Sequence, residues 1–130
     1  MADVTVKRTE EFEATYGGGM LKARSGLGVT SVGMQILRLP PNEHRHPQHD
    51  HGEAGQEEVY IVLEGVATLR AGGEEHRLEP DVFARVGPTE SRQLVTGDEG
   101  AVILALGGVP GQAYESPTFT DEGEPDPLDG

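Results

Sequence analysis

The chain has no cysteine, so disulfides and thiolate chemistry are excluded, and any metal site must use nitrogen and oxygen donors. Aromatic residues make up only 5% of it and hydrophobic residues 35%. A core within 130 residues must then be small and built mostly from Val, Leu, Ile and Ala. Basic residues are scarce: 10 Lys and Arg face 23 Asp and Glu, for a formal net charge of −13. That balance repels phosphate backbones and anionic bilayers, which argues against nucleic acid and membranes as partners; its plain consequence is solubility. No apolar run approaches the roughly 20 residues that span a bilayer. The opening Met1-Ala2-Asp3-Val4-Thr5-Val6-Lys7 lacks the apolar stretch of a signal peptide. The expectation is a single-domain cytoplasmic protein.

What is abundant is punctuation: 19 glycines and 9 prolines mark frequent turns. No long segment keeps a period of 3.6. The best helical candidate is Thr9 to Thr15, with a capping residue and acids in its first turn, ended by Tyr16-Gly17-Gly18-Gly19. That glycine run is read as a turn, because no strand leads into it and no Lys-Ser/Thr follows. Short strands are predicted at Val29 to Leu39, Glu58 to Leu63, Val66 to Arg70, Glu75 to Leu78, Val82 to Val86, Ser91 to Thr96 and Ala101 to Leu106. Glu64-Gly65 reads as a turn and Ala71-Gly72-Gly73-Glu74 as a hairpin. The pattern predicts an all-β sandwich or barrel over 29–107, with an N-terminal extension, 1–28, packing on it. The C-terminal extension, 108–130, is acidic and irregular; Asp121 to Gly130 has one large apolar residue, Leu128, and is expected to be flexible or to pack only through a neighbour.

Four of the 5 histidines fall in the run Glu43-His44-Arg45-His46-Pro47-Gln48-His49-Asp50-His51, a clustering that chance placement rarely gives. Side chains two apart on an extended segment point the same way, so His49 and His51 project together. Glu58 opens the apolar run Val59-Tyr60-Ile61-Val62-Leu63 and can aim its carboxylate at the same point. Two imidazoles and one carboxylate suit Zn, Mn, Fe, Ni or Cu, and with open positions they resemble a facial triad. His44 and His46 flank Arg45 and precede Pro47, which reads as a solvent-facing loop. His76, in Glu75-His76-Arg77, reads as exposed. Glu57 faces away from Glu58. Tyr60 shares the face of Glu58 and is read first as a core aromatic, second as a pocket donor. Met34 is either pocket lining or core packing.

Asn42, six residues, His49-Asp50-His51, then Glu58 and, six residues on, Gly65 resembles the first signature of the cupin superfamily. Gly72-Gly73 through Val86-Gly87-Pro88-Thr89 resembles the region of its second signature. The likeness covers roughly residues 29 to 107 and is similar to small single-domain bacterial cupins. It implies a double-stranded β-helix (jelly-roll) barrel, a homodimer, and a divalent transition metal held by His49, His51 and Glu58. It also implies a metal-dependent enzyme for a small organic molecule, of the dioxygenase or isomerase kind.

Departures from the pattern bear on the metal. Six residues separate His51 from Glu58 where three or four are usual, and Asn42 stands where a glycine is usual. The second-signature histidine falls on Arg92, which stays protonated and cannot ligate. A fixed cation within ~4 Å of a divalent metal is repelled by several kcal/mol even at an effective dielectric of ~20. Two arrangements follow. Either Arg92 points away and three ligands hold a metal, or Arg92 pairs with Glu58 and the protein is a non-catalytic, metal-free binding module whose pocket recognises a small anion.

Overall fold

The structure, a computed structural model, describes residues 2–129. In chain order its elements are β1 (Ala14–Thr15), β2 (Met20–Leu21), α1 (Ala23–Leu27), β3 (Gly33–Leu39), β4 (Glu57–Ala71), β5 (Glu74–Leu78), β6 (Phe83–Val86) and β7 (Arg92–Gly108). Single 3-10 turns lie at Thr9–Glu11, Tyr16–Gly18 and Thr118–Thr120. The strands form one antiparallel sheet in the order β1-β2-β3-β7-β4-β5, with β6 pairing on β4. It curls into a β-barrel of the jelly-roll type.

β4 and β7 carry the barrel, paired from Glu57↔Gly108 to Ala71↔Arg92. Inward positions on β4 alternate from Glu58 through Tyr60 and Val62. Past a bend, Ala67 and Leu69 resume the inner face against Leu94 and Ile103 of β7. Leu37 of β3, Leu78 of β5 and Val86 of β6 close the same cluster. Each fully buried aliphatic side chain contributes about 1.5–3 kcal/mol of transfer free energy.

The bend corrects the sequence expectation of separate strands. β4 runs on through Glu64-Gly65 with register shifts on either side, because β7 bends at the facing Gly100-Ala101 and the ladder continues. Gly65 has φ +80°, and a Cβ there would collide with the Gly100 carbonyl oxygen. The Ala71-Gly72-Gly73-Glu74 hairpin forms as expected, with φ +63° and +75° at its two glycines.

The outer face of β3 and β7 is covered by the N-terminal segment: Leu21 and Ala23 pack on Ile36, with Phe12, Met34, Val102 and Leu104 around them. The expected helix at Thr9 to Thr15 is one 3-10 turn, because Ala14 and Thr15 are drawn into pairing with β2. The α-helix lies instead at Ala23–Leu27, ended by Gly28 at φ +82°. That cap takes up Val29 to Val32 as a turn, so β3 starts at Gly33.

The acidic C-terminal extension lies against this N-terminal segment, where composition alone predicts flexibility. Lys22, with no exposed surface, donates from Nζ to the carbonyl oxygens of Asp121 and Glu124, each at 3.0 Å. Arg24 pairs with Asp121, Ser25 Oγ donates to Thr120 O at 2.9 Å, and Gly17 N donates to Asp126 Oδ2 at 2.8 Å. Most of these partners are backbone groups, which composition does not reveal.

The Gly65 bend is directly testable. Gly65→Ala combines left-handed strain with a backbone collision, and should cost about 2–4 kcal/mol in urea unfolding. Gly73→Ala, at positive φ in open space, should cost only about 1 kcal/mol.

Candidate metal centre

The loop between β3 and β4 is pinned along the N-terminal half of β7 as an irregular strand. Asn42 N donates to Gly97 O at 2.7 Å, and Thr96 N to Glu43 O at 3.0 Å. His49 and Arg92 exchange both backbone hydrogen bonds, at 2.9 and 2.8 Å, and His51 N donates to Pro88 O at 2.8 Å. The extra residues between His51 and Glu58 form turns over 52–55, so the insertion is absorbed outside the site.

This anchoring brings His49, His51 and Glu58 together, with one donor atom from each within 4.8 Å of the others. The imidazole rings of His49 and His51 stand edge to face at 5.0 Å. His51 Nε2 lies 3.0 Å and His49 Nε2 3.8 Å from Glu58 Oε1. The His51 nitrogen is buried and makes no aligned hydrogen bond. His49 Nδ1 lies 3.1 Å from Pro47 O. A carbonyl there calls for N–H at Nδ1, which leaves the Nε2 lone pair facing the site, the arrangement that orients metal-bound histidines. An orphaned nitrogen and a pre-set lone pair, converging with a carboxylate, fit a divalent transition metal.

Glu58 Oε1 is also the acceptor for the Tyr60 hydroxyl, at 2.6 Å. Tyr60 is 1% exposed, so it supports Glu58 from the core and does not line a cavity. Burial pushes its phenol well above the usual range, and the Glu58 carboxylate reinforces that. Burial also works to raise the Glu58 carboxyl, but His49, Tyr60, His51 and Arg92 outweigh it and hold it at about 2. The same carboxylate holds His49 above the ordinary imidazole value, against burial.

Arg92 has no exposed surface. Its Nη2 donates to Gly87 O at 2.7 Å, and Nη1 stands 3.4 Å from Glu58 Oε1; Nε and Nη1 make no hydrogen bond. Of the two arrangements open from the sequence, the guanidinium does face Glu58. Yet the backbone of Arg92 ties down His49, so it stabilises the cluster it adjoins.

The remaining candidates are dispersed. Met34 sits on the outer face of β3 with the Leu21 cluster, away from the site, because the inner face of that strand belongs to Leu37. His44 and His76 are exposed. His46, read with His44 as outer loop, turns inward instead. Its ring centroid is 6.0 Å from that of His49 and its Nδ1 is buried without a partner. Burial, with His49 second, lowers its pKa. The sequence held no signal separating His44 from His46, since their environments depend on how the loop lies along β7.

A cupin domain matches residues 35–107, more than half of the chain, and the chain belongs to the cupin family. Members commonly bind a divalent metal, and the His49, His51 and Glu58 cluster occupies this domain. Among solved structures it is similar to a cupin protein from Bacteroides fragilis. Identity is 21% over 93% of this chain and 96% of that one, with a TM-score of 0.64. A sugar phosphate isomerase from a cupin superfamily of Silicibacter pomeroyi shows 24% identity over 79% and 74%, with a TM-score of 0.66. KdgF from Halomonas shows 14% over 61% and 69%, with a TM-score of 0.54. At these identities the likeness is one of fold. No curated protein matches the sequence.

The ionised Glu58 makes stability depend on pH. Its folded pKa lies below the usual 4.5, so its contribution is full above about pH 4.5 and is lost as pH falls toward about 2. In chelator-treated protein the stability should decline over that window by about 3 kcal/mol. Glu58→Gln should lower the starting stability and remove that part of the acid limb, measured by urea unfolding at a series of pH values.

Proposed function

We propose that this cupin is a metal-dependent enzyme for a small organic molecule, with His49, His51 and Glu58 as the protein ligands of a divalent transition metal. The observation that carries the reading is the anchoring of His49 Nδ1 on Pro47 O while Nε2 converges with His51 and Glu58. A metal bound there supplies a Lewis acid that polarises an oxygen atom of the ligand. Three protein donors leave positions open for that oxygen and for water.

The chain's own residues prepare the site. Pro47 O orients His49, and the Tyr60 hydroxyl and the Arg92 guanidinium keep Glu58 ionised and in place. The buried Tyr60 ring, part of the barrel core, shields the carboxylate it donates to. Arg92 adds a positive charge beside the ligands, which disfavours a dication and favours a ligand head that brings negative charge. A dioxygenase or an isomerase acting on such a molecule fits this donor set.

The metal-free alternative rests on the 3.4 Å approach of Arg92 to Glu58. Its weakness is access: a guanidinium with no exposed surface, donating to Gly87 O, offers nothing to a small anion entering from solution.

Protein purified without an affinity tag should carry close to one divalent metal per chain by elemental analysis. The His49→Ala/His51→Ala variant should carry less than about a tenth of that. Equal metal in the two proteins contradicts the reading. Arg92→His, which removes the cation and adds a donor, should bind metal at least about tenfold more tightly.

A further inference from the structure

A cavity of about 1180 Å³ opens beside the metal centre, with His46 and His49 at one end. Its floor is Leu37 and Leu39 of β3 and Met20 of β2. Part of the lining falls outside the cupin match at 35–107: a wall of Tyr16, Phe119 and Leu128, from the two chain ends. The wall is built rather than adventitious. Tyr16 and Phe119 stack edge to face at 5.6 Å, and Asp126 accepts from Gly17 N and Leu128 N. The fully buried Lys22 clamps the strap through two carbonyl oxygens. Leu128, though held in place, is 66% exposed and lines the cavity.

The chemistry of the lining selects a ligand class. Most of the exposed lining is apolar, and of its charged groups Glu43 is already paired with Arg45. Glu64 and Glu99 are both exposed there and face only one further cation, Arg38. Sugar hydroxyls laid against the apolar stretch of the lining would lose water for few partners. A phosphate dianion would meet three carboxylates, Glu43, Glu64 and Glu99, against Arg38 and Arg45, at twice the cost a singly charged head bears.

We propose that the cavity takes a small organic ligand with an apolar body and one oxygen-donor head. The body lies against Phe119 and Leu128, and the head points to His49. The C-terminal strap is then a specificity-determining wall outside the residues the cupin domain match covers. The ligand's orientation rests on the metal-centre reading; the wall does not.

Nile red, a neutral apolar dye, probes the cavity directly. Bound dye should be displaced by octanoate and not by glucose phosphate at equal concentration. Leu128→Asp and, separately, Phe119→Ala should each weaken dye binding about tenfold, with metal per chain and circular dichroism unchanged. Leu128 is mostly exposed, so the first variant keeps its fold even if the second does not. Dye binding that ignores both substitutions, or displacement by glucose phosphate as effective as by octanoate, overturns the proposal. Wild-type protein that lacks metal yet binds dye, and loses it in Leu128→Asp, upholds the wall and defeats the metal-centre reading alone.

Discussion

One carboxylate oxygen organises this site. Glu58 Oε1 receives the Tyr60 hydroxyl at 2.6 Å, and has His51 Nε2 at 3.0 Å, Arg92 Nη1 at 3.4 Å and His49 Nε2 at 3.8 Å. Its side chain is only 13% exposed, so this is a concentration of charge where solvent screens poorly. A buried anion is expensive unless surrounded by donors and positive charge, and Arg92 is buried on the same terms. The two charges justify each other. What they leave unsatisfied is informative: His51 Nε2 and two guanidinium nitrogens are buried without hydrogen bonds. Clustered around one carboxylate, they are donors and acceptors that a bound ion or ligand could satisfy.

The barrel supplies this geometry through strand alternation and two bends. Glu58 and Tyr60 share the inner face of β4, so the carboxylate and its hydroxyl donor come from one strand. Arg92 opens β7 and reaches His49 through a pair of backbone hydrogen bonds. The long strands fold over at Gly65 and Gly100, where backbone meets backbone too closely for a side chain. The same construction leaves the cavity beside His49, which the chain ends then wall off.

Much of the centre is legible in the sequence because it follows period-two alternation and a recognisable spacing. The two-residue spacing of His49 and His51 implies that they project together, and with Glu58, at the start of an apolar run, they do lie close. The all-β class follows from closely spaced turn signals, and the Gly72-Gly73 hairpin from its chemistry. What is not legible depends on partners far along the chain. Met34 and Gln35 give no sign of which faces the barrel; the N-terminal segment decides that by covering the Met34 face. A break at Gly65 cannot be told from a bulge without knowing that Gly100 bends opposite. The acidic tail looks unable to fold by itself, and the contacts that hold it are carbonyls taken by Lys22, some hundred residues away in sequence.

In the proposed centre three donors hold a metal next to a buried arginine. A crystal structure with anomalous diffraction recorded at transition-metal absorption edges tests it most directly. The expected result is an anomalous peak bound by His49 Nε2, His51 Nε2 and Glu58, with Arg92 still donating to Gly87 O. An absent peak in metal-supplemented crystals, with the guanidinium closed fully onto Glu58, would contradict it.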